Sequence, residues 1–232
     1  MKKMMQTKWT IATFMLCGAL LGASQAVNAE GELMVLPATT KVFNTHEQKV
    51  TVKNRGDEPL YLNISVQKVT NPGQTPEKKV ALGELEHPGV LASPDKLTLG
   101  PGQTRSIVLK SLMEPGKEEL YRLYVVPVRS LKVDSAPQDK ITAPMSVAIG
   151  YGVLVRHMPA PGRQRAGWTY RCEDGGLTLE NTGNIRQVLT DVVYDKTKPA
   201  QTLAVFPGTP RHFSTRSMTL RVDDMTKTLT CP

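Results

Sequence analysis

The chain has 232 residues, 40% of them hydrophobic and 5% aromatic, with a formal net charge of +8. That length suits one large or two small domains with ordinary cores. The positive charge forms no lysine or arginine block, which excludes nucleic-acid binding and leaves room for an acidic or carboxylate-bearing partner.

In chain order, Lys2, Lys3 and Lys8 accompany the apolar stretch WTIATFMLCGALLGA, and AVNA ends in a small residue. This reads as a secretory signal peptide over residues 1–29, cleaved after Ala29, with Ala26 as second choice. A retained anchor is the alternative, but the stretch is shorter than the ~20 apolar residues of a spanning helix. Cleavage removes three lysines and no acid, so the charge falls from +8 to +5. Cys17 leaves with the signal. Cys172 and Cys231 remain, and an oxidising compartment joins them; two free thiols are the alternative. A disulfide closing that loop contributes roughly 4 kcal/mol by the chain-entropy estimate.

GELMVLPATTKVFN is a first strand broken at Pro37, which argues for an edge or bulged strand. HEQKVTVKN alternates and ends in the turn NRGDEP. LYLNISVQKVT alternates with Leu60, Leu62, Ile64 and Val66 on one face, then slips to Val69. Two short strands follow in GVLASPDKLTLGPGQTRSIVLKSL. ELYRLYVVPV is a strand and RSLKVDSAPQDKI a polar loop. PMSVAIGYGVLVRHMP is the next strand, bulky at odd positions and small at Ser146, Ala148, Gly150 and Gly152. About seven strands with regular turns are the signature of an immunoglobulin-like sandwich, here over residues 30–159.

PAPGRQRAG then reads as a linker. WTYRC, GLTLENTG, RQVLTDVVYD, QTLAVFPG, RHFSTR, MTLRVDD and KTLTC are short strands of a smaller β-sandwich over residues 160–232. A domain that small buries little area, so a disulfide from its first strand to its last is physically sensible. The expected fold class is all-β, with two sandwich domains.

No constellation for catalysis stands out. His46, His87, His157 and His212 lie in different elements, without metal-ligand spacing. H-E-x-x-H, G-x-S-x-G and phosphate-cradling loops are missing from the sequence. Glu118–Glu119 and Asp223–Asp224 are adjacent, point to opposite faces of a strand, and read as solvated turn charges. NIS at Asn63 is a formal glycosylation acceptor, read here as ordinary strand residues.

KVFN, LASPDKLTLGPGQTRSIVLKSL, KEELYRLYVVPV and the long alternating strand before a proline linker resemble the periplasmic pilus chaperones of the chaperone–usher pathway. TNPGQTPEKK, ELYRLY, VLVRHMP and NTGN resemble the alternate branch that serves colonisation-factor-type fimbriae. The likeness covers the mature chain and is strongest from Met34 to Pro159. It implies two immunoglobulin-like domains in a boomerang arrangement, a periplasmic location, and no enzymatic activity or cofactor. The implied partners are fimbrial major and minor subunits and an outer-membrane usher. Each fimbrial subunit lacks one strand, and the chaperone lends it by donor-strand complementation.

Under this resemblance Met145, Val147, Ile149, Tyr151 and Val153 enter the client's groove, each contributing about 1.5–3 kcal/mol, while the small even residues pack on the chaperone itself. The alternation alone equally suits strand residues of the protein's own core. The family's basic pair for the client's C-terminal carboxylate implies Lys41 in the first strand. Its lysine in the lending strand is replaced by Leu154. Arg156, two residues on and on the same face, and Arg122 in LYRLY are the further candidates. Whether the free protein self-associates over its exposed strand is left open. The competing reading is a secreted two-domain pilin or adhesin. Such a pilin needs an alternating donor extension after the cleavage site, and EGELMVLPATTK alternates weakly.

Overall fold

Along β4 (Leu60–Val69), Leu60, Leu62, Ile64 and Val66 are buried and the residues between them exposed, so the period-2 pattern becomes one core face. In the computed structural model the described residues are 32–128, 149–173 and 175–232. The signal peptide with its cleavage site, Met145 and Val147 lie outside them.

The first strand of the sequence is two. β1 (Leu33–Leu36) pairs antiparallel with β3 (Gln48–Asn54). Beyond Pro37 the chain crosses to the other sheet, and β2 (Thr39–Val42) pairs parallel with β10 (Tyr151–His157). One layer has the order β1-β3-β8-β6, where β6 is Val90–Ser93 and β8 is Thr104–Ser111. The other has the order β2-β10-β9-β4-β5, with β9 Glu119–Val128 and β5 Lys79–Ala81; β7 (Lys96–Leu99) also pairs with β4. The inner faces of both layers close over Val50, Val52, Leu62, Ile64, Ile107, Leu109, Tyr121 and Leu123.

A second pair of sheets follows the proline-rich segment. One has the order β11-β12-β15: β11 (Trp168–Glu173), β12 (Gly176–Asn181) and β15 (Arg211–Phe213). The other has the order β14-β13-β16-β17: β13 (Gln187–Val193), β14 (Gln201–Val205), β16 (Ser217–Val222) and β17 (Met225–Thr230). Leu177, Leu179, Leu189, Val192, Met218 and Leu220 form its core. Cys172 near the end of β11 is bonded to Cys231 just after β17, tying the first strand of this small sandwich to its last.

The connection between the sandwiches is clamped by the NTGN turn. Asn184 exchanges hydrogen bonds with the Arg165 backbone in both directions, and its side-chain amide donates to the Arg163 and Gly116 carbonyls. A Cβ at Gly183 would collide with the Arg165 carbonyl, so the turn needs glycine there. Among the described residues no helix is long and apolar enough to cross a membrane.

Candidate functional site

β10 serves two purposes along its length. Val153, Val155 and His157 face inward opposite Leu123, Tyr121 and Glu119, and Val153 and Val155 belong to the core. Val153 is 2% exposed, so the expectation that it fills a partner's groove is corrected: its own sandwich uses it. Tyr151 has the same parity but lies at the margin of the core, 38% exposed, and Ile149 beyond it is 71% exposed. The strand therefore leaves its own core between Val153 and Tyr151. Its outer edge changes at the same place. β2 covers Leu154 to His157 only, so among the described residues nothing pairs with that edge from Ile149 to Val153.

Of the small even positions, Gly150 and Gly152 do not pack inward; Ser146 and Ala148 lie outside the described residues. Gly150 and Gly152 are exposed on the outward face, where a Cβ would meet the Val126 side chain and the Tyr124 ring. That face continues in register through Leu154 opposite Arg122 and Arg156 opposite both Leu120 and Lys41. Phe206, on the loop after β14, is 4% exposed and buries its ring against this face with Val69, Leu120 and Leu154. The slip in β4 has its cause here: Val69 points outward to meet the second sandwich. Leu154 has its reason too, since an aliphatic side chain at this position packs into the apolar cluster around Phe206.

The cations divide into held and free. Arg156, its side chain 11% exposed, is a bidentate partner of Glu118: Nε donates to Oε1 at 2.6 Å and Nη2 to Oε2 at 3.1 Å. Arg122 holds Glu77 in the same way, at 3.1 and 2.6 Å. The hydrogen bond from Arg122, set against a smaller opposing effect of burial, lowers the Glu77 carboxyl, and the same bond raises Arg122. Both arginines, expected as carboxylate anchors, are thus internally paired. Lys41 is exposed and has no ion-pair partner among the described residues.

Glu118 itself corrects the expectation of a solvated turn charge. Its side chain is fully buried, its backbone N–H donates to the Asn184 carbonyl, and its Oε2 accepts from the Arg186 backbone N–H at 2.8 Å. Sequence reasoning missed Glu118, Arg186 and Phe206. Glu118 looks like its neighbour in the sequence, and the other two belong to the second sandwich and meet the first only in space.

Glu119 faces the other way, also not into free solvent. Burial pushes its carboxyl up, but the His157 ring, the Lys68 ammonium at 2.6 Å and the Tyr121 hydroxyl at 2.7 Å overcome this and hold it at about 2. His157 acts as a near neighbour, with Nδ1 3.6 Å from Oε2 and unpaired. Burial, then the hydrogen bond to Glu119, pushes Tyr121 up.

This chain is similar to two Escherichia coli proteins that bear the names of fimbrial subunits. The one from CFA/I fimbriae is 29% identical over 169 residues that span 72% of this chain and 70% of the relative. The one from CS1 fimbriae is 26% identical over 171 residues with the same two coverages. No family model matches the sequence. Among solved structures it is similar to a chain of the chaperone–tip adhesin complex of CFA/I fimbriae biogenesis, at 22% identity and TM-score 0.68 over 85% of this chain and 98% of that one. It is also similar to the class 5 fimbriae chaperone CfaA, at 22% and 0.64 over 87% and 100%. A third is a chain of the Salmonella enterica SafA pilin–SafB chaperone complex, at 14% and 0.57 over 86% and 96%. The chain has the two-domain, immunoglobulin-like β-sandwich fold of the fimbrial chaperones.

Proposed function

We propose that this protein is a periplasmic chaperone that binds fimbrial subunits by donor-strand complementation and delivers them to an outer-membrane usher. The observation that carries this reading is the half-used strand. Ile149 and Tyr151 stand outside their own core on an edge that lacks a neighbour from Ile149 to Val153 among the described residues. An apolar edge of that kind is an aggregation liability unless a partner strand uses it. Met145 and Val147 extend the same odd-numbered series and complete the lent segment.

The client's C-terminal carboxylate is received beyond the uncovered edge, toward Lys41, which lies beside Arg156 in the stretch that β2 covers. Arg156 and Arg122 flank it on the same strand face, held by Glu118 and Glu77. The names of the E. coli relatives refer to fimbrial subunits and those of the solved structures to chaperones. Two features favour the chaperone. Residues 33–42 are spent on both sheets of the first sandwich, which leaves them unable to serve as a donor extension, and a second sandwich follows.

A non-enzymatic role fits the one triad-like group among the described residues, Ser111, His157 and Glu119. Ser111 Oγ donates to the Met113 carbonyl at 2.8 Å, so at its 2.8 Å contact with His157 Nε2 it is the acceptor. The imidazole is then a donor to the serine and no base for it.

Co-expression tests the reading. The mature chain is produced with candidate pilins, small secreted β-rich proteins from the same genome, and soluble pilin is measured. Wild type rescues at least one of them, and Ile149→Asp folds but rescues none. Equal recovery with and without the wild-type chain refutes the function.

A further inference from the structure

The segment TNPGQTPEKK joins β4 to β5, and the lending edge makes no use of it. Its shape is set from within. The Asn71 side chain donates to the Pro76 carbonyl at 2.9 Å and accepts the Lys78 N–H at 2.6 Å, and the Asn71 carbonyl accepts the Gln74 N–H at 3.1 Å. Its base is tied to the outward face of β9. Glu77 holds Arg122 with both oxygens, and Lys79 Nζ donates to the Tyr124 hydroxyl at 2.8 Å.

The tip of this loop meets the second sandwich. Gly73 has φ +81°, and a Cβ there would stand 2.9 Å from the Ala204 carbonyl oxygen and 3.0 Å from the Phe206 ring. Glycine serves twice at this position, for the left-handed backbone and for the close approach. Beside it, Gln74 Nε2 donates to the Pro210 carbonyl at 3.4 Å. Phe206 is therefore held by Val69, Leu120 and Leu154 on the sheet and by Gly73 on the loop.

The loop adds a second attachment between the sandwiches. In the sheet order β2-β10-β9-β4-β5, the Arg156 partner of Glu118 lies on β10, and the loop lies on the other side of β9, between β4 and β5. A body pinned at one place can rock about it. Pinned on both sides of the sheet, it keeps one angle.

We infer that this loop is a strut that sets the angle between the sandwiches before any client arrives, with Gly73 as the positioning residue. The use of that angle rests on the chaperone reading. The strut fixes how far the second sandwich stands from the lending edge of β10, and so the shape of the client that fits.

Double electron–electron resonance tests the strut in the free mature protein, between spin labels at Ser106→Cys and Thr228→Cys, both exposed positions. The labelled parent gives one narrow distance distribution. Gly73→Ala shifts it, because the new methyl group displaces Ala204 and Phe206. Gly102→Ala is the control. Gly102 has φ +68° and open space where its Cβ would stand, so alanine there brings the backbone strain without the contact. That variant melts lower by a similar amount and keeps the parent distribution. Glu77→Ala unties the base of the loop and broadens the distribution without moving its centre. A distribution that Gly73→Ala leaves unchanged, or that Gly102→Ala shifts equally, overturns the strut; should Gly73→Ala not fold, an unbroadened Glu77→Ala does so.

Co-expression tests what the angle is for. Recovery of a pilin that wild type rescues falls severalfold with Gly73→Ala and stays at the wild-type level with Gly102→Ala. A shifted distance with full recovery overturns the positioning role. If wild type rescues no pilin while the distance still shifts, the strut stands and the chaperone reading falls.

Discussion

Leu154 of the first sandwich and Phe206 of the second bury against one another on the outward face of β10 and β9, together with Val69 and Leu120. The two sandwiches are joined by an apolar plug as well as by the Glu118 ion cluster. Phe206→Ala removes the plug at a cost of about 3 kcal/mol. Leu154→Lys replaces an aliphatic contact in the apolar cluster with an ammonium that must be desolvated or reach out to water, and it is destabilising as well. In denaturant, both variants separate the single transition into two, read by tryptophan fluorescence and circular dichroism; one unshifted transition contradicts the plug.

Glu118 is worth more to folding than its place beside Glu119 suggests. Glu118→Ala leaves the nearly buried Arg156 without its partner, a loss of about 3–5 kcal/mol for a broken buried pair. Calorimetry on the purified variant measures it. A change within error would mean that water replaces the carboxylate at no cost.

Ile149 and Val153 share a strand face and differ in consequence. Ile149→Asp leaves the melting temperature unchanged, because the side chain is 71% exposed. Val153→Asp places a charge in the core and yields unfolded or insoluble protein. If the two variants melt alike, the core boundary on β10 has been placed wrongly.

Stability depends on acid through Glu119. Its carboxyl is held at about 2, below the ordinary 4.5, so its contribution is fully present above pH 4.5 and lost as the pH falls toward 2. The loss amounts to about 3 kcal/mol at most. Glu119→Gln lowers stability at neutral pH and flattens the acid limb of the curve measured by urea unfolding between pH 2 and pH 7. A parallel, merely shifted curve counts against this role.

The disulfide is the remaining staple. Replacing Cys172 and Cys231 with serine costs roughly 4 kcal/mol, confined to the second sandwich, whose core is small. Limited proteolysis then cuts after residue 168 and spares the first sandwich. Uniform cutting across both sandwiches would contradict independent stapling.

Much of the layering was legible because burial on one face writes itself as alternation. Leu60, Leu62, Ile64 and Val66 announced their core, and Cys172 with Cys231 announced their bond. The same alternation misled at Val153, since inward residues of a sandwich and residues held out to a partner obey one period, and only the position of β2 tells them apart. Charges were less readable still. Arg122 and Arg156 were found as cations in apolar strands, but Glu77 and Glu118, which neutralise them, sit 45 and 38 positions away. Arg186 and Phe206 carry no local sign of their neighbours in the other sandwich.

Pro37 marks where the chain changes layers, with β1 stitched to one sheet of the first sandwich and β2 to the other. A single ten-residue thread therefore seams both walls. Tugging it loose, by a bulky fusion close to Leu33 or by trimming through Val42, would open two edges at once and lengthen the bare margin of β10 down to His157. The reach of the lending surface is set by where this thread begins to cover it.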